Sequence, residues 1–238
     1  MLWRHAGRGH AGADPCPDGL RGGHDPRAIR AGRLQACVIP FQQRSTTVIE
    51  QYSPERLADR AQIQDVIYRW CRAVDRLDRQ GILDLFYPGA IDSHGPYIGP
   101  IEGLVDWLME RHKPIGFSSH FVGNLLIEFA AEDVALVETY VRTIQQYPVE
   151  AKAQLAQLTG GASGDPDAAM DMFTSSRYLD LMKRQDGRWR IARRTLIQDW
   201  KQLVEVRTKA LQPHEGWIIG RRDGQDAMQA ARRELGLE

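Results

Sequence analysis

Two residues in this sequence have side chains suited to moving a proton from carbon at neutral pH. Asp75 lies in Tyr68-Arg69-Trp70-Cys71-Arg72-Ala73-Val74-Asp75-Arg76-Leu77-Asp78, and His120 lies in Ser119-His120-Phe121-Val122-Gly123-Asn124. Removing a proton beside a carbonyl or a leaving group needs a base whose pKa is near working pH, and histidine fits. It works best when a carboxylate holds one ring nitrogen, fixing the tautomer and stabilising the imidazolium that forms. A blander alternative stands beside this one: Asp75 pairs with Arg72 or Arg79 about one helical turn away, and His120 is a hydrogen-bonded core residue. His94, in Asp92-Ser93-His94-Gly95, is a further acid–base candidate, because residues two apart on a strand share a face and Asp92 would accompany it. The same pair suits half a metal site or a turn. No other motif supplies metal ligands, so no metal is expected.

The elements that must position these groups follow from periodicity. Ser53-Pro54-Glu55 opens a helix, with Ser as N-cap, Pro in the first turn and an acid facing the dipole. Ile63, Ile67, Trp70, Val74 and Leu77 then recur at helical spacing, and Arg79 with Gly81 supplies a stop; Asp75 falls at the border of the apolar stripe. A short helix Ile82–Tyr87, a strand Ala90–His94, a turn Gly95–Pro100 and a helix Glu102–His112 are predicted next. Beyond Pro114 the period changes. Phe117–Ala130, Val134–Tyr147, Met172–Arg184 and Trp189–Asp199 read as long antiparallel strands joined at Ala131-Glu132-Asp133 and Gln185-Asp186-Gly187-Arg188. Helices followed by strands predict an α+β fold with the N-terminal helices on one face of a mainly antiparallel sheet, enclosing a pocket.

Alternation on these strands places His120, Val122, Asn124 and Leu126 on one face, which makes Asn124 a candidate substrate contact. On the next strand it groups Glu138, Tyr140 and Arg142 without saying which face looks inward. Residues 148–170 hold a helix-like Glu150–Leu158 and a Gly-rich tract, read as a mobile insertion. Residues 1–50 scatter Gly and Pro among Arg and His with neither period, and are read as an irregular leader. Residues 203–238 carry amphipathic pieces, Gln202–Leu211 and Gln225–Leu235, around Gly220-Arg221-Arg222-Asp223-Gly224, and are read as a helical extension of a domain over 51–202.

Bulk composition bounds the partners. With 31 Lys and Arg against 31 Asp and Glu in 238 residues, no net charge points to nucleic acid or an anionic membrane. No apolar run approaches the roughly 18 residues of a membrane span, and no compact apolar signal core opens the chain. Three cysteines, Cys16, Cys37 and Cys71, have no paired spacing, which fits a reducing, cytoplasmic setting.

Taken in order, Leu57–Asp65, Val74–Asp78, Tyr87-Pro88-Gly89-Ala90, Asp92–Gly95, Ser119–Asn124, Arg177-Tyr178-Leu179-Asp180 and Asp186–Ile191 resemble the SnoaL-like branch of the nuclear transport factor 2-like superfamily, over about residues 54–200. The resemblance implies a cone-shaped α+β domain with a deep pocket, a homo-dimer or homo-trimer, and chemistry without a cofactor. In dehydratase and dehydrochlorinase members it implies an Asp on the first long helix and a His on the first long strand as the catalytic pair; those positions are Asp75 and His120, with His94 as proton donor to the leaving group. A tyrosine that some dehydratases place five residues before the Asp is Trp70 here, so Tyr68, Tyr97, Tyr140 and Tyr178 stand as candidates to polarise a substrate carbonyl. Arg177 with Tyr178 is a further substrate contact, or one half of a cross-strand ion pair. The resulting expectation is a dehydratase-like lyase or isomerase for a hydrophobic cyclic molecule. The rival is a non-catalytic ligand binder or accessory subunit, like the small subunit of ring-hydroxylating oxygenases.

Overall fold

Ser53 starts the first helix as its sequence demands: its hydroxyl accepts the Arg56 N–H at 3.3 Å, ahead of Pro54. In the computed structural model, which describes residues 50–161, 164–206 and 214–237, this helix, α1, runs Pro54–Arg76. Ile63, Ile67, Trp70 and Val74 are buried along it. It stops earlier than Gly81, because Leu77 takes a left-handed conformation (φ 56°) and closes on Ala73 and Val74. Asp78 then caps a short α2, Arg79–Leu83, by accepting the Gly81 N–H at 2.8 Å. A Cβ at Gly81 would collide with that carboxylate, which is why glycine sits there.

The predicted helix Ile82–Tyr87 gives way after Leu83. Leu85 accepts the Ile191 N–H, and Phe86 pairs in parallel with Ile191, so β1 begins at Phe86 and runs to His94. Pairing with a neighbouring strand overrides the local helical pattern. Gly95 turns the chain into β2, Tyr97–Pro100, and α3 follows over Ile101–His112.

The four long strands appear where the alternation placed them: β3 Phe117–Ala131, β4 Val134–Tyr147, β5 Met170–Gln185 and β6 Arg188–Glu205. The sheet order is β2-β1-β6-β5-β4-β3, antiparallel throughout except for β1 beside β6. This is the helices-then-sheet α+β arrangement predicted. The inward face carries Val137, Thr139, Val141 and Thr143 of β4 opposite Ser176, Tyr178 and Asp180 of β5; Trp70, Leu104, Leu108 and Met182 complete the main core.

Between β4 and β5, a 3-10 turn Val149–Ala151 leads into α4, Lys152–Thr159. Leu155 of this helix is fully buried with Ile115, Tyr147, Met170 and Met172 in a second core cluster, so the first half of the expected insertion is packed against the domain. The expected leader lies outside the described residues apart from Glu50. Of the amphipathic Gln202–Leu211, residues Gln202–Glu205 continue β6 because they pair with Met170–Phe173, and residues 207–211 lie outside the described residues. The second piece is helical: α5, Ala227–Glu234, is capped by Asp226, whose carboxylate accepts the Met228 N–H while its own backbone N–H donates to Gln229 Oε1. Among the described residues, no helix is long and apolar enough to cross a membrane.

Candidate active site

The last full turn of α1 delivers Asp75 to the first strand of the long meander. Its carboxylate accepts the His120 ring Nδ1 at 2.7 Å on Oδ1, the His120 backbone N–H at 2.8 Å on Oδ2, and the Ser118 hydroxyl at 2.8 Å on Oδ1. Burial pushes this carboxyl's pKa up, but the bonds from His120 and Ser118 outweigh it and hold the group below its ordinary value. The alternative pairing with Arg72 or Arg79 is not what the fold forms; Arg79 bonds Asp106 at 2.8 Å instead. With Nδ1–H donated to Asp75, the lone pair of a neutral His120 lies on Nε2.

His120 lines a cavity of about 200 Å³ between the helices and the sheet, together with His94, Trp70, Tyr178, Arg111 and His112. Val74, Leu108, Val141 and Leu196 give it apolar walls, while Thr143, Gln145 and Thr174 add polar groups. His94 reaches Asp92 at 3.3 Å, on the shared strand face that their spacing predicted. Asp92 is fully buried, and its second oxygen has no hydrogen-bond partner among the described residues. Below it, Arg194 grips Asp180 through two bonds of 2.7 Å, both side chains fully buried, and stacks over Trp70 and Tyr178. Among the described residues, no group of three His, Cys, Asp or Glu is placed to hold a metal ion.

Trp70 and Tyr178 reach the cavity, and the other expected substrate contacts do not. Tyr68 is 52% exposed and borders an open depression with Cys71, Asp75 and His120, outside this cavity. Tyr97 donates its hydroxyl to the Pro100 carbonyl at 2.7 Å and stacks on Trp107. Asn124 is turned out because the register of β3 slips between Val122 and Leu125, so Leu125 and Ile127 take the inward positions that strict alternation gave to its neighbours. Tyr140 and Arg177 lie on the face of the sheet turned away from the helices. There Arg177 bridges Glu138 at 2.7 Å and Asp199 at 2.9 Å, the ion-pair alternative.

Several groups of the site were not singled out from the sequence. Ser118 and Gln145 stand opposite each other across β3 and β4, and Gln145 links Ser118 to the Tyr147 hydroxyl. Arg111 and His112 end α3, where a basic last turn reads as ordinary dipole compensation. Burial drives the His112 pKa well below its ordinary value, and the positive charges of Arg111 and Arg222 add to the effect. Arg222 comes from the C-terminal segment. Its Nε donates to the Asp75 carbonyl at 2.8 Å, and its Nη1 donates to those of His112 and Ile115 at 3.1 and 2.6 Å. It places a cation and its donors on carbonyls at the ends of two helices. A contact to backbone has no sequence signature, since any residue type supplies a carbonyl.

A family model described as a SnoaL-like domain matches residues 55–195. No curated protein matches the sequence. Among solved structures, a hexachlorocyclohexane dehydrochlorinase (LinA type 2) superposes with a TM-score of 0.52 at 18% identity, covering 68% of this chain and 97% of its own. A candidate scytalone dehydratase from Novosphingobium aromaticivorans gives 0.50 at 19% identity, covering 67% and 95%. The Kfla4162 protein from Kribbella flavida gives 0.50 at 14% identity, covering 61% and 94%. At these identities the structures speak for the fold, and the family model for the lineage. The chain belongs to the SnoaL-like family.

Proposed function

We propose that this protein is a lyase or isomerase of the dehydratase type, working by general acid–base catalysis on a small hydrophobic ring compound. The observation that carries this reading is the buried Asp75–His120 contact of 2.7 Å at the wall of a mostly apolar cavity. His120 Nε2 takes a proton from carbon, and Asp75 fixes the ring and stabilises the imidazolium. His94, held by Asp92 on the same cavity, gives a proton to the departing oxygen or to the carbon that receives it. Tyr178 is the one candidate tyrosine lining the cavity among the described residues, and it takes the role of polarising a carbonyl. Burial pushes its pKa up, which keeps it a phenol able to donate. The chemistry requires no cofactor.

A non-catalytic binder or accessory subunit is favoured where His120 and Asp75 are out of reach or the interior is filled. The contact distance and the open volume support the catalytic reading instead. Its test is proton exchange: a single-ring ketone is incubated with enzyme in deuterium oxide, and label entering beside the carbonyl is followed by NMR. The wild type exchanges, while His120→Ala and Asp75→Asn do not. Equal exchange in all three would overturn the assignment.

The same reading includes a homo-oligomer. Phe121, Leu126, Leu136, Tyr140 and Ile144 stand exposed on the face of β3 and β4 turned away from the helices, an apolar surface of the kind subunits cover. Light scattering of the purified chain at micromolar concentration tests it; a monomer at every concentration would remove this part.

A further inference from the structure

Among the described residues, two buried guanidinium groups line or border the cavity, and only one has a counterion. Arg194 is matched by Asp180. Arg111 is 7% exposed and has no carboxylate within ion-pair distance among the described residues. Its hydrogen bonds go to neutral groups: Nη1 donates to the Tyr147 hydroxyl at 3.2 Å, and Nη2 contacts His112 Nε2 at 2.5 Å. Its third nitrogen, Nε, is buried with no partner among the described residues, and so is His112 Nδ1. The guanidinium also lies over the Trp107 ring, 4.6 Å from its centroid.

Among the described residues, none of the nearby carboxylates bonds Arg111. Asp75 serves His120 and Ser118, Asp92 holds His94, and Asp180 holds Arg194. Arg222 brings a second cation near His112 and is itself bonded to carbonyls. Tyr147 donates its own proton to Gln145 at 2.8 Å, which aims an oxygen lone pair at Arg111 and so fixes the guanidinium rather than neutralising it. Removing an ion from water is strongly unfavourable when nothing compensates it. A charge kept in that state on the wall of a binding cavity is compensated when an anion enters.

We propose that Arg111, backed by His112 and Tyr147, is an anion subsite, and that the substrate is a ring compound bearing a carboxylate. A planar carboxylate matches the guanidinium fork, and a cavity of about 200 Å³ leaves room for about one ring beside it. The subsite rests on the proposed function for what happens to the ligand, but not for whether the ligand binds. The carboxylate anchors on Arg111, and the ring presents a C–H to His120 across the same cavity.

Benzoate and benzamide, alike in shape and differing in charge, are the probes. Calorimetric titration of the full chain in low-chloride buffer at neutral pH should show benzoate binding roughly ten-fold or more tightly than benzamide. Arg111→Met, which keeps the length and loses the charge, should reduce that preference to about two-fold or less. Equal binding of the two probes by the wild type, or binding of neither, overturns the proposal whether or not the variant folds. A preference that survives Arg111→Met overturns the assignment to Arg111. Proton exchange by the wild type separates the two readings: selective benzoate binding in a wild type that never exchanges protons sinks the catalysis and keeps the subsite. Exchange without selectivity does the reverse.

Discussion

His120 is joined to Asp75 twice, by its ring Nδ1 at 2.7 Å to one carboxylate oxygen and by its own backbone N–H at 2.8 Å to the other. The carboxylate therefore orients both the imidazole and the strand that carries it. Asp75→Asn should cost turnover by roughly 10²- to 10⁴-fold, because the amide cannot accept at both places. It should also destabilise the fold by about 1–3 kcal/mol by leaving one buried donor unmatched. Rates and urea unfolding measured on the same sample check both.

The depressed Asp75 pKa gives a pH dependence of fixed sign. Unfolded, this carboxyl takes up a proton near pH 4, at about 3.9; folded, it does so only at lower pH. The unfolded state therefore binds more protons in that window, and the stability contributed by Asp75 is full above about pH 4 and lost as pH falls through the folded value. The stability gap between wild type and Asp75→Asn should shrink on acidification, as read from urea midpoints at pH 7 and at about pH 3. A constant gap would contradict the assignment.

His112 should remain a neutral imidazole through neutral pH, since burial and then the charges of Arg111 and Arg222 all oppose its protonation. Its ring protons should hold a constant NMR shift from about pH 8 through the ordinary histidine value of about 6.5. Arg111→Met, which removes one of those charges, should move the titration upward.

Substitutions outside the cavity should separate stability from rate. Tyr97→Phe loses the bond to the Pro100 carbonyl and should cost about 1 kcal/mol of stability without changing proton exchange. Asn124→Ala, on an exposed position beyond the slip in β3, should change stability by less than about 0.5 kcal/mol and leave the rate unaltered. Tyr178→Phe, on the cavity wall, should lower the exchange rate at near-constant stability.

The order of the elements was legible because periodicity is a local property. Ser53-Pro54 announced α1, and alternation placed four long strands within a few residues of their ends. What failed were contacts decided across the sheet. Phe86 became strand because Ile191 was beside it, and the slip after Val122 reversed the face that simple alternation gave Asn124. The Asp75–His120 contact was reachable from residue types and the family resemblance. Arg111 was not, because an arginine at the end of a helix looks the same from the sequence whether it is solvated or sealed beneath Trp107 and Tyr147.

Arg222 lies outside the stretch that matches the family model, and its bond to the Asp75 carbonyl spans 147 residues. A contact added from outside the matched domain is expected to form after the rate-limiting step of folding. Its loss then falls on the reverse rate: Arg222→Ala should leave refolding nearly unchanged and make the native protein open faster. The tail thus governs how long the finished site lasts rather than how quickly it assembles, a property of lifetime that stopped-flow unfolding reads directly.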